Sequence, residues 1–115
     1  MTLLPPTSSP LSEPDNLDVV GERNDGGVDM VVSTSGPLDA SDTTCQHLQT
    51  KLNTYLYAAT HPNFVNVYPA ARTGRVRIFV SDIHEISERA RQVVDSVSRE
   101  ALARGVEIRI GSPVA

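Results

Sequence analysis

Residues 39–60 carry a helical pattern of apolar side chains that constrains how the rest of the chain can fold. At about 100° per residue, these side chains fall in one stripe about 100° wide, as expected of a helix that covers a core. The stripe consists of Cys45, Leu48, Leu52, Tyr55, Leu56 and Ala59. The residues predicted to face solvent are His47, Thr50, Lys51 and Thr54. The other elements are therefore expected to pack on this helix.

Two strand-like segments, 16–23 and 28–34, precede the helix and are joined by Asn-Asp-Gly-Gly at 24–27. Asp-Gly and Gly-Gly supply the positive φ angles that tight hairpins need, so the segment is predicted to be a β-hairpin. Apolar residues alternate with others in both strands, which indicates one face toward the helices and one away from them. The predicted inner face comprises Leu17, Val19, Val28, Met30 and Val32.

A long loop and a third strand are expected after the first helix. His61-Pro62-Asn63 ends the helix, and the following segment to Gly74 is predicted to be a loop whose apolar side chains pack down. Alternating valine and isoleucine at 75–81 predict the strand.

A second helix and a fourth strand complete the chain. The helix begins between Asp82 and Ser87, since both residues fit an N-cap. Its buried stripe is predicted to be Ile86, Ala90, Val93, Val94, Val97 and Ala101. Gly105 ends this helix, and residues 106–110 alternate as the last strand.

The order β-β-α-β-α-β predicts an α+β fold, a two-layer sandwich in which a four-stranded mixed sheet carries both helices on one face. The third and fourth strands should be parallel and joined by a right-handed crossover, and the strand order stays open. Residues 15–112 are expected to form one domain. Residues 1–14 contain four prolines and are predicted to be a disordered tail.

Composition and charge narrow the functional classes. The 115 residues include one cysteine, so no intramolecular disulfide can form and a cytoplasmic setting is expected. No secretory signal and no apolar run of about 20 residues is present, which argues against a membrane protein. The net charge of −4 and the scarcity of aromatic residues argue against nucleic-acid binding.

Three stretches carry a family resemblance: Leu38-Asp-Ala-Ser-Asp42, His47-Leu-Gln-Thr-Lys-Leu-Asn-Thr-Tyr-Leu56, and Tyr68-Pro69 leading into Arg75-Val-Arg-Ile78. Over residues 14–111 the chain resembles a family of small bacterial proteins known as a domain of unknown function. The resemblance implies the same order of elements. It implies no activity, cofactor or catalytic residue.

The sequence predicts no catalytic, cofactor-binding or metal site. Cys45 lies in the apolar stripe, so it is interpreted as a core residue rather than a nucleophile. His84 with neighbouring carboxylates is interpreted as a helix cap and a solvated turn, because no second histidine or cysteine pair accompanies it. Gly26-Gly27 and Gly74 are interpreted as separate turns without nucleotide-binding spacing.

The face of the sheet without helices is the main candidate site. Its predicted members are Val20, Val31, Arg75, Arg77, Phe79 and Arg109, together with acidic residues of the hairpin. These opposite charges either pair across strands or form an association surface for a protein partner or a second copy in a homodimer. The leading hypothesis is therefore a non-catalytic protein-interaction or accessory module that acts through this face or its edge strand.

The alternative is a small-ligand-binding protein or an enzyme with a polar pocket at the start of the first helix. Asp39 and Asp42 lie at that end, where backbone N–H groups have no partner within the helix. Gln49 and Asn53 border the apolar stripe at a spacing of four residues. These four residues form the predicted pocket.

Overall fold

The computed structural model describes residues 19–23, 26–72 and 74–111, which contain four strands and three helices. The strands are β1 (Val19–Glu22), β2 (Val28–Val32), β3 (Val76–Val80) and β4 (Val106–Ile110). The helices are α1 (Asp42–Thr60), α2 (Phe64–Val67) and α3 (Glu88–Ala103), and a 3₁₀ turn covers Pro69–Arg72. The predicted α+β fold is confirmed. The tail predicted at 1–14 lies outside the described residues.

The sheet has the order β1-β2-β3-β4. β1 and β2 form the predicted antiparallel hairpin, and β2, β3 and β4 are parallel to one another. Three rows of side chains cross the parallel strands on one face: Val28–Val76–Val106, Met30–Ile78–Ile108 and Val32–Val80–Ile110. These rows form the floor of the core.

Both long helices cover this face. The stripe of α1 (Leu48, Leu52, Tyr55, Leu56) and the stripe of α3 (Ala90, Val94, Val97, Ala101) belong to one buried cluster with the sheet rows. Burial of these side chains supplies most of the favourable free energy of folding. In the described part of the chain, neither long helix is apolar enough to cross a lipid bilayer.

A serine side chain caps the N-terminus of each long helix. Ser41 accepts a hydrogen bond from the Thr44 N–H and begins α1. Ser87 accepts one from the Ala90 N–H and begins α3, so the alternative start at Asp82 is wrong. Each cap pairs a backbone donor that the helix itself cannot satisfy.

Lys51 departs from its prediction as a solvent-facing residue of α1. Its side chain is 0% exposed, and its Nζ lies 5.8 Å from the centre of the Tyr55 ring. The predicted stripe excluded Lys51 because the stripe was defined by apolar residues alone. A long aliphatic stem can be buried as well as a leucine can, provided the amine finds a polar environment.

The segment predicted as a loop after α1 is mostly helical. It contains α2 and the 3₁₀ turn, and the rings of Phe64 and Tyr68 contact each other at 5.0 Å between centroids. Each of these elements is a single turn, which is too short to show a helical period of apolar residues in the sequence.

The register of the hairpin corrects the predicted face of β1. Arg23 N–H donates to the Gly27 carbonyl, so three residues separate the closing pair, and Val20 lies opposite Met30. Even-numbered residues of β1 therefore share the helix-covered face. Val20 is partly buried against the core there and does not belong to the open face. The predicted placement of Val20 on the open face would have needed a loop of even length, because side chains alternate with a period of two.

Candidate functional site

The sheet face opposite the helices, here called the open face, carries two rows of side chains. One row is Asp29–Arg77–Glu107, and the other is Val31–Phe79–Arg109. Of the six predicted members of this face, Val31, Arg77, Phe79 and Arg109 therefore lie next to one another. Arg75, just before β3, is exposed and shares the alternation of Arg77.

The charges at the centre of the open face are paired. Arg77 holds Asp29 with two hydrogen bonds, Nε to Oδ1 at 2.8 Å and Nη2 to Oδ2 at 3.0 Å. Arg23 contacts the same carboxylate and also donates to the Arg75 carbonyl at 3.1 Å. The predicted cross-strand pairing is thus present, and bidentate geometry makes it specific.

The pKa of Asp29 reflects this environment. Its side chain is 12% exposed, and burial alone raises the pKa. Hydrogen bonds from Arg77 and Arg23, together with their positive charges, outweigh burial and hold the pKa below its ordinary value. Asp29 is therefore a negatively charged group that holds the guanidinium groups of Arg23 and Arg77 in place.

Phe79 lies under Arg77. The Arg77 guanidinium carbon lies 5.1 Å from the centre of the Phe79 ring, a cation–π distance. Phe79 lies on the open face as predicted but is only 5% exposed. The apolar surface that this face offers is therefore the partly exposed Val31 and the stem of Arg77, rather than a bare aromatic ring.

At the far side of the open face, β4 forms an edge of the sheet. Gly111 N–H donates to the Val80 carbonyl at 2.8 Å, which fixes the direction of the backbone groups in β4. Glu107 and Arg109 point their N–H and C=O groups toward β3, and the intervening residues point theirs outward. In the sheet as described, no strand lies on that outer side. Arg109 and Glu107 contact each other through their side chains on the open face.

The predicted polar pocket at the start of α1 is largely occupied by protein groups. Asp39 Oδ1 accepts hydrogen bonds from the Ser41 hydroxyl (2.6 Å) and N–H (3.0 Å), and these bonds hold the pKa of Asp39 below its ordinary value. Arg89 of α3 reaches Asp42 at 2.6 Å and the Ala40 carbonyl at 2.8 Å. The Asp42 carboxylate raises the pKa of Arg89. These contacts join the starts of the two long helices.

The structure does not bring the four predicted pocket residues together. Asn53 lies eleven residues after Asp42, about 16 Å along the helix axis at 1.5 Å per residue. Gln49 instead lines a polar groove of about 230 Å³ between α1 and α3, with Arg89, Gln92, Val93 and Ser96.

A second, more apolar groove lies where α1 ends and α2 begins. Its volume is about 500 Å³, and its lining includes Tyr57, His61, Phe64, Val67 and Tyr68. Tyr57 is 69% exposed and packs edge-on against His61, with 5.8 Å between ring centroids. Tyr57 lies outside the apolar stripe of α1, and the groove itself depends on α2, which was not predicted.

Two further predictions concern Cys45 and the glycines of the turns. Cys45 is buried in α1, as expected of a core residue. The glycines predicted to form separate turns instead meet: a Cβ on Gly74 would lie 2.3 Å from the Gly27 nitrogen. Gly27 N–H and Gly74 N–H both donate to the Ala70 carbonyl, so this contact ties the hairpin to the 3₁₀ turn.

Arg23 and Arg89 make contacts at the candidate sites that the sequence did not predict. Arg23 lies on the side of Asp29 only because the hairpin has a loop of odd length. Arg89 reaches α1 only because the two helices lie side by side. Local sequence patterns reveal neither the register of the hairpin nor the packing of α3 beside α1.

Comparison with known proteins identifies the family. No match was found among curated proteins or among solved structures. The model of a family of unknown function, DUF6572, matches residues 9–113. This match begins before residue 14, where the resemblance in the sequence was expected to start. Because the matched range covers most of the chain, the protein belongs to the DUF6572 family of unknown function.

Proposed function

We propose that the domain is a non-catalytic protein-interaction or accessory module of a bacterial cytoplasm, and that its open face contacts the partner. The observation that carries the proposal is the arrangement of Arg77 over Phe79, between Val31 and Arg109. Arginine is enriched among the residues that dominate binding at protein interfaces, and the buried Phe79 ring supports the Arg77 guanidinium. The Asp29 carboxylate holds this patch in one conformation, so little side-chain entropy is lost on binding.

The charge of the patch indicates the chemistry of the partner. Asp29 pairs with the charge of Arg77, and Glu107 pairs with Arg109, which is nevertheless exposed, as is Arg75. A partner with carboxylates around a small apolar centre fits this pattern. The buried cysteine thiol of Cys45 is in keeping with a reducing compartment.

Photo-crosslinking in the native cell tests this proposal. A photoreactive amino acid at Val31 or at Arg75 should give the same protein adduct, and the adduct should weaken when Arg109 is changed to glutamate. Thr50, exposed on α1, is the matched control position and should give no such adduct. Adducts from Thr50 alone, or equal adducts from all three positions, would contradict the open face as the contact surface.

A second candidate function, binding of a small ligand, is supported by the polar groove that Gln49 shares with Arg89. A ligand with an acidic group would compete with Asp42 for the guanidinium. Thermal-shift screening against small carboxylates should then show stabilisation in the native chain and none in Arg89→Gln. Equal shifts in both chains would exclude this groove as the site.

A further inference from the structure

The outer edge of β4 presents a regular row of backbone groups. The register of β4 on β3, with Gly111 bound to Val80, leaves the N–H and C=O groups of Val106, Ile108 and Ile110 directed away from the sheet. An edge of this kind can add a strand from another chain. Such pairing satisfies each outward group with a hydrogen bond.

The side chains of β4 are complementary to a second copy of the same strand. In an antiparallel pair centred on Ile108, Glu107 lies opposite Arg109 of the other copy, and Arg109 lies opposite its Glu107. Both pairs fall at positions without backbone bonds between the chains, where side chains approach most closely. The same register places Val106 opposite Ile110 on the helix-covered face. The charged pairs, the backbone hydrogen-bonding groups and the apolar residues therefore all favour the same register.

The helix above β4 exposes an apolar side chain on the same side. Gln92 and Ser96 of α3 line the groove shared with α1, so that flank of α3 faces α1. At about 100° per residue, Leu102 lies on the opposite flank, above the β4 edge, and it is 57% exposed. Pairing of two β4 strands would bring a second copy of α3 toward this flank and cover apolar surface there.

We propose that β4 is a homodimerisation edge at which two copies pair antiparallel about Ile108 and form one continuous eight-stranded sheet. The two-fold axis makes every contact reciprocal, as in other two-fold dimers. Charges on edge strands normally prevent pairing with unrelated strands. In β4 the same charges select a second copy, because glutamate meets arginine in this register only. The pairing also joins the two open faces into one surface.

Sedimentation velocity of the full chain over a range of concentrations tests the pairing. The native chain should sediment as a dimer. Glu107→Arg and Arg109→Glu should each weaken it by roughly tenfold or more, because both cross-strand pairs become like-charged. A 1:1 mixture of the two variants should recover a dimer, since an all-basic strand then faces an all-acidic one. Glu100→Arg and Arg104→Glu, which change an exposed pair on α3, are the controls matched in charge and should leave the dimer intact.

The results that would overturn the proposal differ from those that would support it. A native chain that is monomeric at all concentrations, controls that weaken the dimer equally, or a mixture that stays monomeric would each overturn the proposal. Circular dichroism confirms that the variants fold, and Arg109→Glu retains the test if Glu107→Arg does not fold, because Arg109 is exposed. The dimer is independent of the proposed function. A monomer that still crosslinks from Val31 overturns the dimer alone, and a dimer without that adduct overturns only the role of the open face.

Discussion

Asp29 is the residue on which the order of the open face depends. Asp29→Asn removes the charge that Arg23 and Arg77 share and weakens both contacts. We expect the free energy of unfolding to fall by about 1.5–3 kcal/mol, the range for hydrogen bonds to charged groups. Urea unfolding measures this value. Glu100→Gln, which alters an exposed pair with Arg104, should change it by less than about 0.5 kcal/mol. Equal losses would show that the Asp29 pair is no stronger than a surface contact.

The lowered pKa of Asp29 gives stability a defined dependence on pH. In acid the unfolded chain binds a proton to this carboxylate before the folded chain does. The contribution of Asp29 is therefore complete above its unfolded pKa and is lost as the pH falls through the lower folded pKa. Unfolding curves measured from about pH 6 to about pH 2 should lose stability less steeply in Asp29→Asn than in the native chain. Parallel curves for the two chains would contradict the assignment.

The Tyr55 hydroxyl adds a hydrogen bond to the packing of α1 on the sheet. This buried hydroxyl donates to the Val31 carbonyl at 2.9 Å, so Tyr55→Phe removes a bond while keeping the ring in the core. The expected cost is about 1 kcal/mol in thermal or urea unfolding. Tyr57→Phe is the matched control, because Tyr57 is exposed on the same helix. If both changes are neutral, the hydroxyl of Tyr55 does not hold α1 in place.

At the scale of elements, the caps decide where the helices begin. Ser87→Ala leaves the Ala90 N–H without its acceptor and should lower the free energy of unfolding by about 0.5–2 kcal/mol. Ser96→Ala, exposed in the middle of α3, should have no effect or stabilise slightly because alanine favours the helix interior. Comparison of the two variants by urea unfolding separates capping from helix propensity. An equal response would place the start of α3 elsewhere.

Elements with enough residues to show a period could be predicted from the sequence, and the short ones could not. The stripes of α1 and α3 extend over several turns, so both helices and their buried faces follow from spacing. α2 has four residues and no repeat. The face of Val20 depends on whether the hairpin loop has an odd or an even length, and one residue of difference reverses it. The burial of Lys51 could not be predicted either, because hydrophobicity alone does not show how a long aliphatic stem packs.

At the scale of the whole molecule, the candidate site was predictable to the extent that it follows from alternation within a strand. Val31, Arg77 and Phe79 share a face because their positions in β2 and β3 alternate and the strands pair in register. The burial of Phe79 and the reach of Arg89 across to α1 depend on tertiary packing. The edge position of β4 likewise follows from strand order, which local patterns do not determine.

Strand order also sets how stability should depend on concentration. If β4 pairs with a second copy, mass action stabilises the folded dimer as the chain becomes more concentrated. Between about 1 µM and about 100 µM, the gain is about 2.7 kcal/mol per dimer, which raises Tm by roughly 5 °C for a chain of this length. Differential scanning calorimetry at several concentrations measures the shift. Glu107→Arg should show little dependence on concentration, and its 1:1 mixture with Arg109→Glu should regain it. A native Tm that is constant across this range would mean that the β4 edge stays open in solution, and that its charges serve only to keep other strands away.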